Sequence, residues 1–242
     1  MTFIDKLLNA ITMYKVVLYG LSLLTVAAFG LSLIGILPYA FGALLVNFVL
    51  ISAVCFIINQ LFSFLLKVPT NLESSAITAL ILFFILAPAN TGLDLGAVML
   101  TSILAISSKY ILNREGKHIF NPVAIALVIM SFAGSGLAIW WVANPYLSVL
   151  TLVIGLLIVR KIRRAELFLA FMLSSISIFI IHLFLKGMLN LEEITNFITS
   201  WPLLFLGTVM LTEPLTTPPH ERFANCLWHC SRHTFFFSIS VR

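Results

Sequence analysis

The chain has 242 residues, of which 61% are hydrophobic and 10% are charged, and its mean hydropathy is +1.11. Soluble domains carry about 25% charged residues, so this composition excludes both an ordinary soluble globule and a disordered chain. The formal net charge is +5, but the basic residues are spread too thinly to form a nucleic-acid-binding face. The sequence therefore indicates a membrane protein that contacts the lipid bilayer and has no nucleic-acid partner.

The beginning of the chain is predicted to be a membrane anchor. Asp5 and Lys6 precede a hydrophobic stretch that reaches full spanning length without a small-residue cleavage site. This pattern is not typical of a cleavable signal peptide. The three cysteines of the chain are too few and too unevenly spaced for a disulfide framework.

Apolar segments divide the chain into predicted membrane spans. A spanning helix needs about 20 mostly apolar residues. Ser75–Ala87 and Trp201–Thr212 are apolar but shorter than a full span. The segments predicted as full spans are Val16–Leu37, Phe41–Leu66, Leu95–Leu112, Pro122–Trp141, Leu147–Val159 and Ala165–Leu185.

Basic residues set the predicted orientation. Arg160, Lys161, Arg163 and Arg164 share one short loop, and short cytoplasmic loops collect Lys and Arg. If all eight segments cross and this loop is cytoplasmic, Lys186 is the one basic residue of 1–219 that falls outside. We therefore expect both the N-terminus and the C-terminus to be cytoplasmic.

The two short segments resemble each other. Each is an apolar run stopped by a proline, Pro88 or Pro214, and followed by small polar residues. In the predicted topology the two segments end on opposite sides of the membrane. Short, proline-interrupted segments in two halves of opposite orientation indicate an inverted repeat whose broken ends meet at a binding site. The alternative is that both are ordinary helix ends near the interface.

Polar side chains are rare inside the predicted spans. For Asn47, Asn59, Gln60 and His182 we favour hydrogen bonds between helices over an ion site. Glu213 stands at the second proline break, where a carboxylate needs a nearby donor, so it is a candidate functional residue. An interface-exposed carboxylate is the equally weighted alternative.

The loop Asn113–His118 carries three cations and leads to Asn121 and Pro122. Asparagine as a cap and proline in the first turn predict a helix N-terminus, whose amide groups can hold an anion such as phosphate. An ordinary positively charged cytoplasmic loop is the favoured alternative when the residues are considered alone.

Two strings in the chain carry most of its recognisable motifs: SKYILNREGKHIFNP, from Ser108 to Pro122, and FLGTVMLTEPLTTPP, from Phe205 to Pro219. Together they resemble the NqrB/RnfD family of membrane subunits. The likeness covers about Glu73 to Pro219. It implies a subunit of flavin-dependent complexes that couple electron flow from NADH or ferredoxin to sodium or proton movement. It also implies two inverted five-helix repeats of the urea-transporter type.

The same resemblance implies a flavin such as FMN, held within the membrane domain. Family members commonly attach it to the threonine of a Ser-Gly-Ala-Thr motif, but the nearest string here, Ser135-Gly136-Leu137-Ala138, ends in alanine. Alanine has no hydroxyl to form the ester, so covalent attachment is not expected. A non-covalent flavin is expected near a set of residues in the two strings: Lys109, Asn121, Glu213, Thr216 and Thr217.

The resemblance also implies partners and a location. The partners are other subunits of an electron-transport complex, or a fused or adjacent flavin and nicotinamide reductase domain. The location is the bacterial inner membrane. The fold class predicted for residues 1–219 is an all-α polytopic membrane domain, an incomplete five-plus-five inverted repeat.

Two functions of other classes remain open. In a solute channel or transporter of the urea-transporter type, the two broken helices line a pore and hold no cofactor. In a membrane scaffold, the chain has no chemistry of its own. Flavin absorbance separates the first hypothesis from the channel, and the effect of Glu213→Ala on activity separates either from the scaffold.

Residues 220–242 differ in composition from the rest of the chain. They hold three of the five histidines and two of the three cysteines. A metal site formed by Cys226, His229, Cys230 and His233 and a basic tail are two interpretations. We favour a third, a frameshift near Pro219, because one permitted reading shifted by a single nucleotide, TNALQIAYGIVVGTLFFSPF, is a plausible ninth span.

Overall fold

The computed structural model describes residues 10–89, 91–114 and 117–212. Helices α1 to α4 are Met13–Leu33, Phe41–Leu66, Leu72–Ile85 and Gly92–Ile111. A short hairpin pairs β1, Asn113–Arg114, with β2, Lys117–His118. Helices α5 to α8 are Pro122–Phe132, Pro145–Ile162, Ala165–Leu185 and Leu191–Ser200. Helix α9, Leu203–Phe205, continues as a π-helix over Leu206–Met210.

Five helices, α1, α2, α4, α6 and α7, are long and apolar enough to cross a membrane. They correspond to five of the six predicted full spans, so the all-α, multi-pass architecture is confirmed. The observed ends of these helices differ from the predicted ends where a helix-terminating residue was not taken into account. Helix α1 ends at Leu33, four residues before the predicted end, because Gly35 adopts a left-handed conformation with φ of 74°.

The predicted span Pro122–Trp141 is wrong as a continuous helix. Helix α5 has 11 residues and ends at Phe132, and Gly134 then adopts a positive φ of 76°. Residues 133–144 form an irregular segment that turns back towards α3. The segment was predicted as part of a span because its composition is apolar. Several of its backbone N–H groups are not used within a helix, because they donate to the end of another helix.

That other helix is the broken helix α3. It ends at Ile85, close to Pro88, and its last carbonyl groups need donors that the helix itself does not supply. The irregular segment supplies them: Ile139 N and Trp140 N donate to Ile85 O at 3.0 and 2.9 Å. In return, Ala87 N donates to Leu137 O at 2.8 Å. Helix α3 therefore ends before Pro88, as predicted, and protein groups satisfy the freed backbone at its end.

The second predicted short segment, Trp201–Thr212, has a different structure from α3. Only Leu203–Phe205 is α-helical, and the π-helix follows. The sequence did not predict α8, which precedes it. Pro214 lies outside the described residues, so the inverted repeat and the count of eight spans stay predictions.

Helix α3 forms the centre of the packed core. Every side chain from Ile77 to Leu86 is buried, as expected for a helix that is apolar all round. Rings from four other parts of the chain surround its Phe83 and Phe84: Phe29, Phe48, Trp141 and Phe205. By contrast, α7 leaves most of its apolar side chains exposed, a surface suited to lipid.

Candidate functional site

A cavity of about 710 Å³ opens where one end of each of four helices meets. Tyr14 lies at the start of α1, Asn59 in the last two turns of α2, Ser74 in the first turn of α3, and Lys109 in the last turn of α4. The remaining lining residues come from the end of α2, the loop after it, the end of α4 and the start of β1: Leu66, Val68, Pro69, Thr70, Asn71, Tyr110 and Asn113. The cavity is therefore built from segments distant in sequence.

Lys109 is the cation of this cavity. Its side chain is only 6% exposed, and its Nζ donates to Ser74 O at 2.7 Å and to Ser74 Oγ at 2.9 Å. The last turn of a helix is a favourable place for a cation because of the helix dipole. Lys109 thus places a positive charge against the wall of the cavity.

The first turn of α3 fixes the position of Ser74. Asn71 is the N-cap of that helix, and its side-chain oxygen accepts from Ser74 N at 2.9 Å. A cap of this kind satisfies an amide that has no partner within the helix. The loop before α3 and the end of α4 are in this way joined through Ser74.

Asn59 and Tyr110 form a second polar contact at the cavity. The Tyr110 hydroxyl donates to Asn59 Oδ1 at 2.8 Å and lies 3.2 Å from Asn59 O. The Tyr110 ring stacks on Phe62, with 5.2 Å between ring centroids. These contacts fix the amide, and they confirm the predicted hydrogen bond between helices for Asn59.

The amide nitrogen of Asn59 is buried and unsatisfied in the part of the chain that the structure describes. Asn59 is 2% exposed, and its Nδ2 has no hydrogen-bond partner within the described ranges. Leaving a buried donor unpaired costs about 1–3 kcal/mol. A buried polar atom without a partner is uncommon in a folded protein and needs a specific explanation. A bound ligand that accepts a hydrogen bond from Nδ2 is one such explanation.

Asn121 occupies a different place from the one expected. It caps α5, where its Oδ1 accepts from Val123 N at 3.0 Å and from Ala124 N at 3.1 Å. Ile125 N bonds to Asn121 O, and Pro122 has no amide hydrogen. The predicted cap is confirmed, but the amides proposed to hold an anion already have partners. Asn121 is not one of the described residues that line the Lys109 cavity.

Of the five candidate residues, the structure places Lys109 in the cavity and Asn121 at the start of α5. Glu213, Thr216 and Thr217 lie outside the described residues. The same is true of Cys226, His229, Cys230 and His233, and of the tail to which they belong.

Another polar site surrounds the string Ser135-Gly136-Leu137-Ala138. This string lies in the irregular segment and lines a cavity of about 200 Å³ together with Thr101 and Ser131. Ser135 Oγ is buried and has no partner in the part of the chain that the structure describes. Ala138 forms an isolated antiparallel bridge with Leu86, so the string belongs to the segment that caps α3.

Two other polar residues predicted inside spans have distinct surroundings. Asn47 is fully buried, and its Nδ2 lies 3.5 Å from Ala87 O at the break after α3. His182 is exposed and borders an apolar groove with Phe179 and Trp201. Asn47 therefore supports the broken helix, and His182 faces the outside of the helix bundle.

Sequence reasoning missed Tyr14, Ser74 and Tyr110 as cavity residues. A signal existed for two of them. Tyr110 directly follows Lys109 in the first string, and Ser74 stands three residues after the helix-capping Asn71. Tyr14 has no such signal, because its position depends on how α1 packs.

Comparison of the chain with family models, with curated proteins and with solved structures finds no match.

Proposed function

We propose that this protein is an integral membrane subunit or domain of an NqrB/RnfD-like, flavin-dependent electron-transport system that moves ions. The observation that carries the proposal is the position of Lys109. This residue belongs to the first string that resembles the family, and its buried side chain lines the cavity of about 710 Å³. A residue selected from a sequence motif alone thus lies in a ligand-sized space.

The cavity fits a non-covalent flavin in three respects. Its volume lies in the range of about 300–1,000 Å³ that is usual for small-molecule sites. Lys109 supplies a positive charge suited to a phosphate, and Tyr14 and Tyr110 contribute aromatic rings to the wall. Asn59 supplies a buried donor that has no acceptor among the described residues.

Each residue of the proposed site has a part in holding the cofactor. Lys109 neutralises the charge of the phosphate, and Tyr110 orients the Asn59 amide. Asn121 fixes the start of α5 and hence the end of the loop that follows Asn113. The flavin, when bound, supplies the capacity to accept and pass on electrons.

By resemblance, Glu213, Thr216 and Thr217 complete the site. Attachment of the flavin through a phosphate ester at Ala138 is not proposed, because alanine has no hydroxyl.

The proposal extends to location and partners. The chain lies in the bacterial inner membrane with its N-terminus in the cytoplasm, which places the Lys109 cavity on the cytoplasmic side. Its partners are other subunits of an electron-transport complex, or a flavin and nicotinamide reductase domain in the same or an adjacent chain. Fusions of a reporter to Lys67 and to Gly187 test the orientation, because these positions are predicted to face opposite sides.

The decisive experiment is a flavin measurement on the full chain in a non-ionic detergent. We expect the purified protein to carry flavin absorbance, or to bind added FMN with quenching of its fluorescence. Lys109→Gln is expected to weaken binding of FMN at least tenfold. Lys186→Gln is the matched control, because Lys186 is exposed at the end of α7 and far along the chain from the cavity.

A colourless protein that binds neither added FMN nor riboflavin contradicts the flavin proposal. Equal loss of binding in the two lysine variants contradicts the role of Lys109.

One observation favours the alternative of a solute channel. Helix α3 and helix α5 both stop short of a full span, and hydroxyl-bearing residues line the small cavity between their ends. Vesicles that contain the purified protein provide the test. Rapid urea-driven volume change that Ser135→Leu abolishes supports a channel, and permeability equal to that of protein-free vesicles excludes this function.

A further inference from the structure

Three further basic residues are sequence neighbours of residues that line the Lys109 cavity. Lys15 directly follows the lining residue Tyr14, and Lys67 stands between Leu66 and Val68, which both line the cavity. The side chains of Lys15 and Lys67 are exposed. Arg114 directly follows the lining residue Asn113.

Among the described residues that stand next to a lining residue in the sequence, Glu73 is the acidic one. Glu73 directly precedes the lining residue Ser74 and is half-buried. Lys15, Lys67 and Lys109 therefore outnumber it, and like charges gathered around a cleft raise the local concentration of ligands of the opposite sign. The surroundings of the cavity favour an anion.

Asn59 adds a neutral donor to this positive environment. Its Oδ1 accepts from Tyr110, so the oxygen of the amide is occupied, and the nitrogen is the end without a partner among the described residues. Both Asn59 and Lys109 line the same cavity. An amide donor and a lysine ammonium on the wall of one cavity are a combination suited to an oxyanion, because both groups donate hydrogen bonds and one carries a charge.

We propose that Lys109 and Asn59 form an oxyanion subsite that binds a phosphate group in this cavity. Asn59 Nδ2 is shielded from solvent in the free protein, so binding of the phosphate includes a movement of the side chains that cover this donor, while the Tyr110 hydroxyl keeps the amide in place. The inference deepens the proposed function and rests on it for the choice of FMN as the first probe. What it adds is the assignment of a phosphate contact to Asn59, a residue that neither string contains.

Two sources can supply the phosphate. One is the phosphate of a soluble cofactor such as FMN, and the other is the headgroup of an anionic lipid. Riboflavin is the matched probe for the first source because it lacks only the phosphate of FMN. A galactolipid is the matched probe for phosphatidylglycerol because its headgroup has no phosphate.

The test uses the full chain in dodecyl maltoside micelles. Titration with FMN and with riboflavin is followed by flavin fluorescence, and mixed micelles with either lipid are compared by the shift in unfolding temperature. We expect FMN to bind at least tenfold more tightly than riboflavin. Asn59→Leu is expected to reduce the affinity for FMN about tenfold and to leave that for riboflavin unchanged.

Asn47→Leu is the matched control. Asn47 is a buried asparagine on the same helix, it also has one amide atom without a partner among the described residues, and it does not line this cavity. If Asn59→Leu does not fold, Asn59→Asp takes its place. Aspartate keeps the acceptor for the Tyr110 hydroxyl, removes the donor and repels phosphate.

The possible outcomes separate the two proposals. Equal affinities for FMN and riboflavin overturn the oxyanion subsite and leave the flavin proposal standing. Stabilisation by phosphatidylglycerol that requires Asn59, together with no binding of either flavin, supports the subsite with a lipid source and overturns the flavin proposal. Affinity for FMN that is unchanged by Asn59→Leu, or the binding of no phosphate-bearing probe, overturns the subsite.

Discussion

Lys109 Nζ lies 2.7 Å from the carbonyl oxygen of Ser74, so a single side chain joins the end of α4 to the first turn of α3. The Lys109 ammonium is thus both the cation of the candidate site and the donor that links the two helices. A ligand that draws on the charge of Lys109 therefore binds next to a contact that holds the helices together.

Ser74→Ala tests this contact. The change removes the hydroxyl that accepts from Lys109 at 2.9 Å and leaves the backbone acceptor. A hydrogen bond to a charged group contributes about 1.5–3 kcal/mol, so we expect the free energy of unfolding to fall by about that amount. Denaturant unfolding in detergent micelles, followed by circular dichroism, measures the change. Ser177→Ala, on the exposed face of α7, is expected to change stability by less than about 0.5 kcal/mol.

Tyr110→Phe removes the hydroxyl that donates to Asn59 and keeps the ring that stacks on Phe62. In the native protein, Asn59 Oδ1 accepts from this hydroxyl, while Asn59 Nδ2 has no partner among the described residues. The variant therefore leaves both polar atoms of the buried amide without a described partner. We expect destabilisation of about 1–3 kcal/mol, measured by thermal unfolding of the purified protein. Tyr19→Phe is the control, because Tyr19 is 57% exposed. A similar loss in both variants contradicts the predicted role of the Asn59 contact.

Trp141→Phe tests how the broken helix is capped. Trp141 Nε1 donates to Phe83 O at 2.6 Å, and phenylalanine keeps an aromatic ring but no donor. We expect destabilisation of about 1–3 kcal/mol, with faster proteolysis between Ala133 and Asn144, because the irregular segment is then less firmly held to α3. Trp201→Phe changes a tryptophan that is 54% exposed and serves as the comparison. Equal protease sensitivity of the two variants counts against this explanation of the cap.

Gly155→Ala tests the contact between α6 and the π-helix. A methyl group at Gly155 would overlap the side chain of Thr208, which is fully buried. Overpacking of this kind costs about 1–3 kcal/mol, so we expect a lower unfolding temperature in detergent. At Gly30, also within a helix, an added Cβ meets no described atom within 4 Å. Gly30→Ala is therefore expected to be neutral or mildly stabilising, since alanine is the better helix former.

The composition and the runs of apolar residues by themselves determined the class of the protein and five of its long helices. This succeeded for α1, α2, α4, α6 and α7 because a helix that crosses lipid must satisfy its own backbone, so length and apolarity are enough to predict it. Lys109 was a candidate site residue because it stands in a string that resembles a known family, and its role in binding stays a proposal.

The tertiary structure alone decided the course of the chain after Phe132 and the surroundings of Asn59. Residues 133–142 are apolar enough to continue a helix, but their backbone donors satisfy the end of α3, some 50 residues earlier in the chain. Asn59 and Tyr110 are likewise 51 residues apart. Hydrogen bonds between such distant residues depend on how the helices pack against one another. The local composition of a segment does not determine which distant group a buried donor or acceptor will contact.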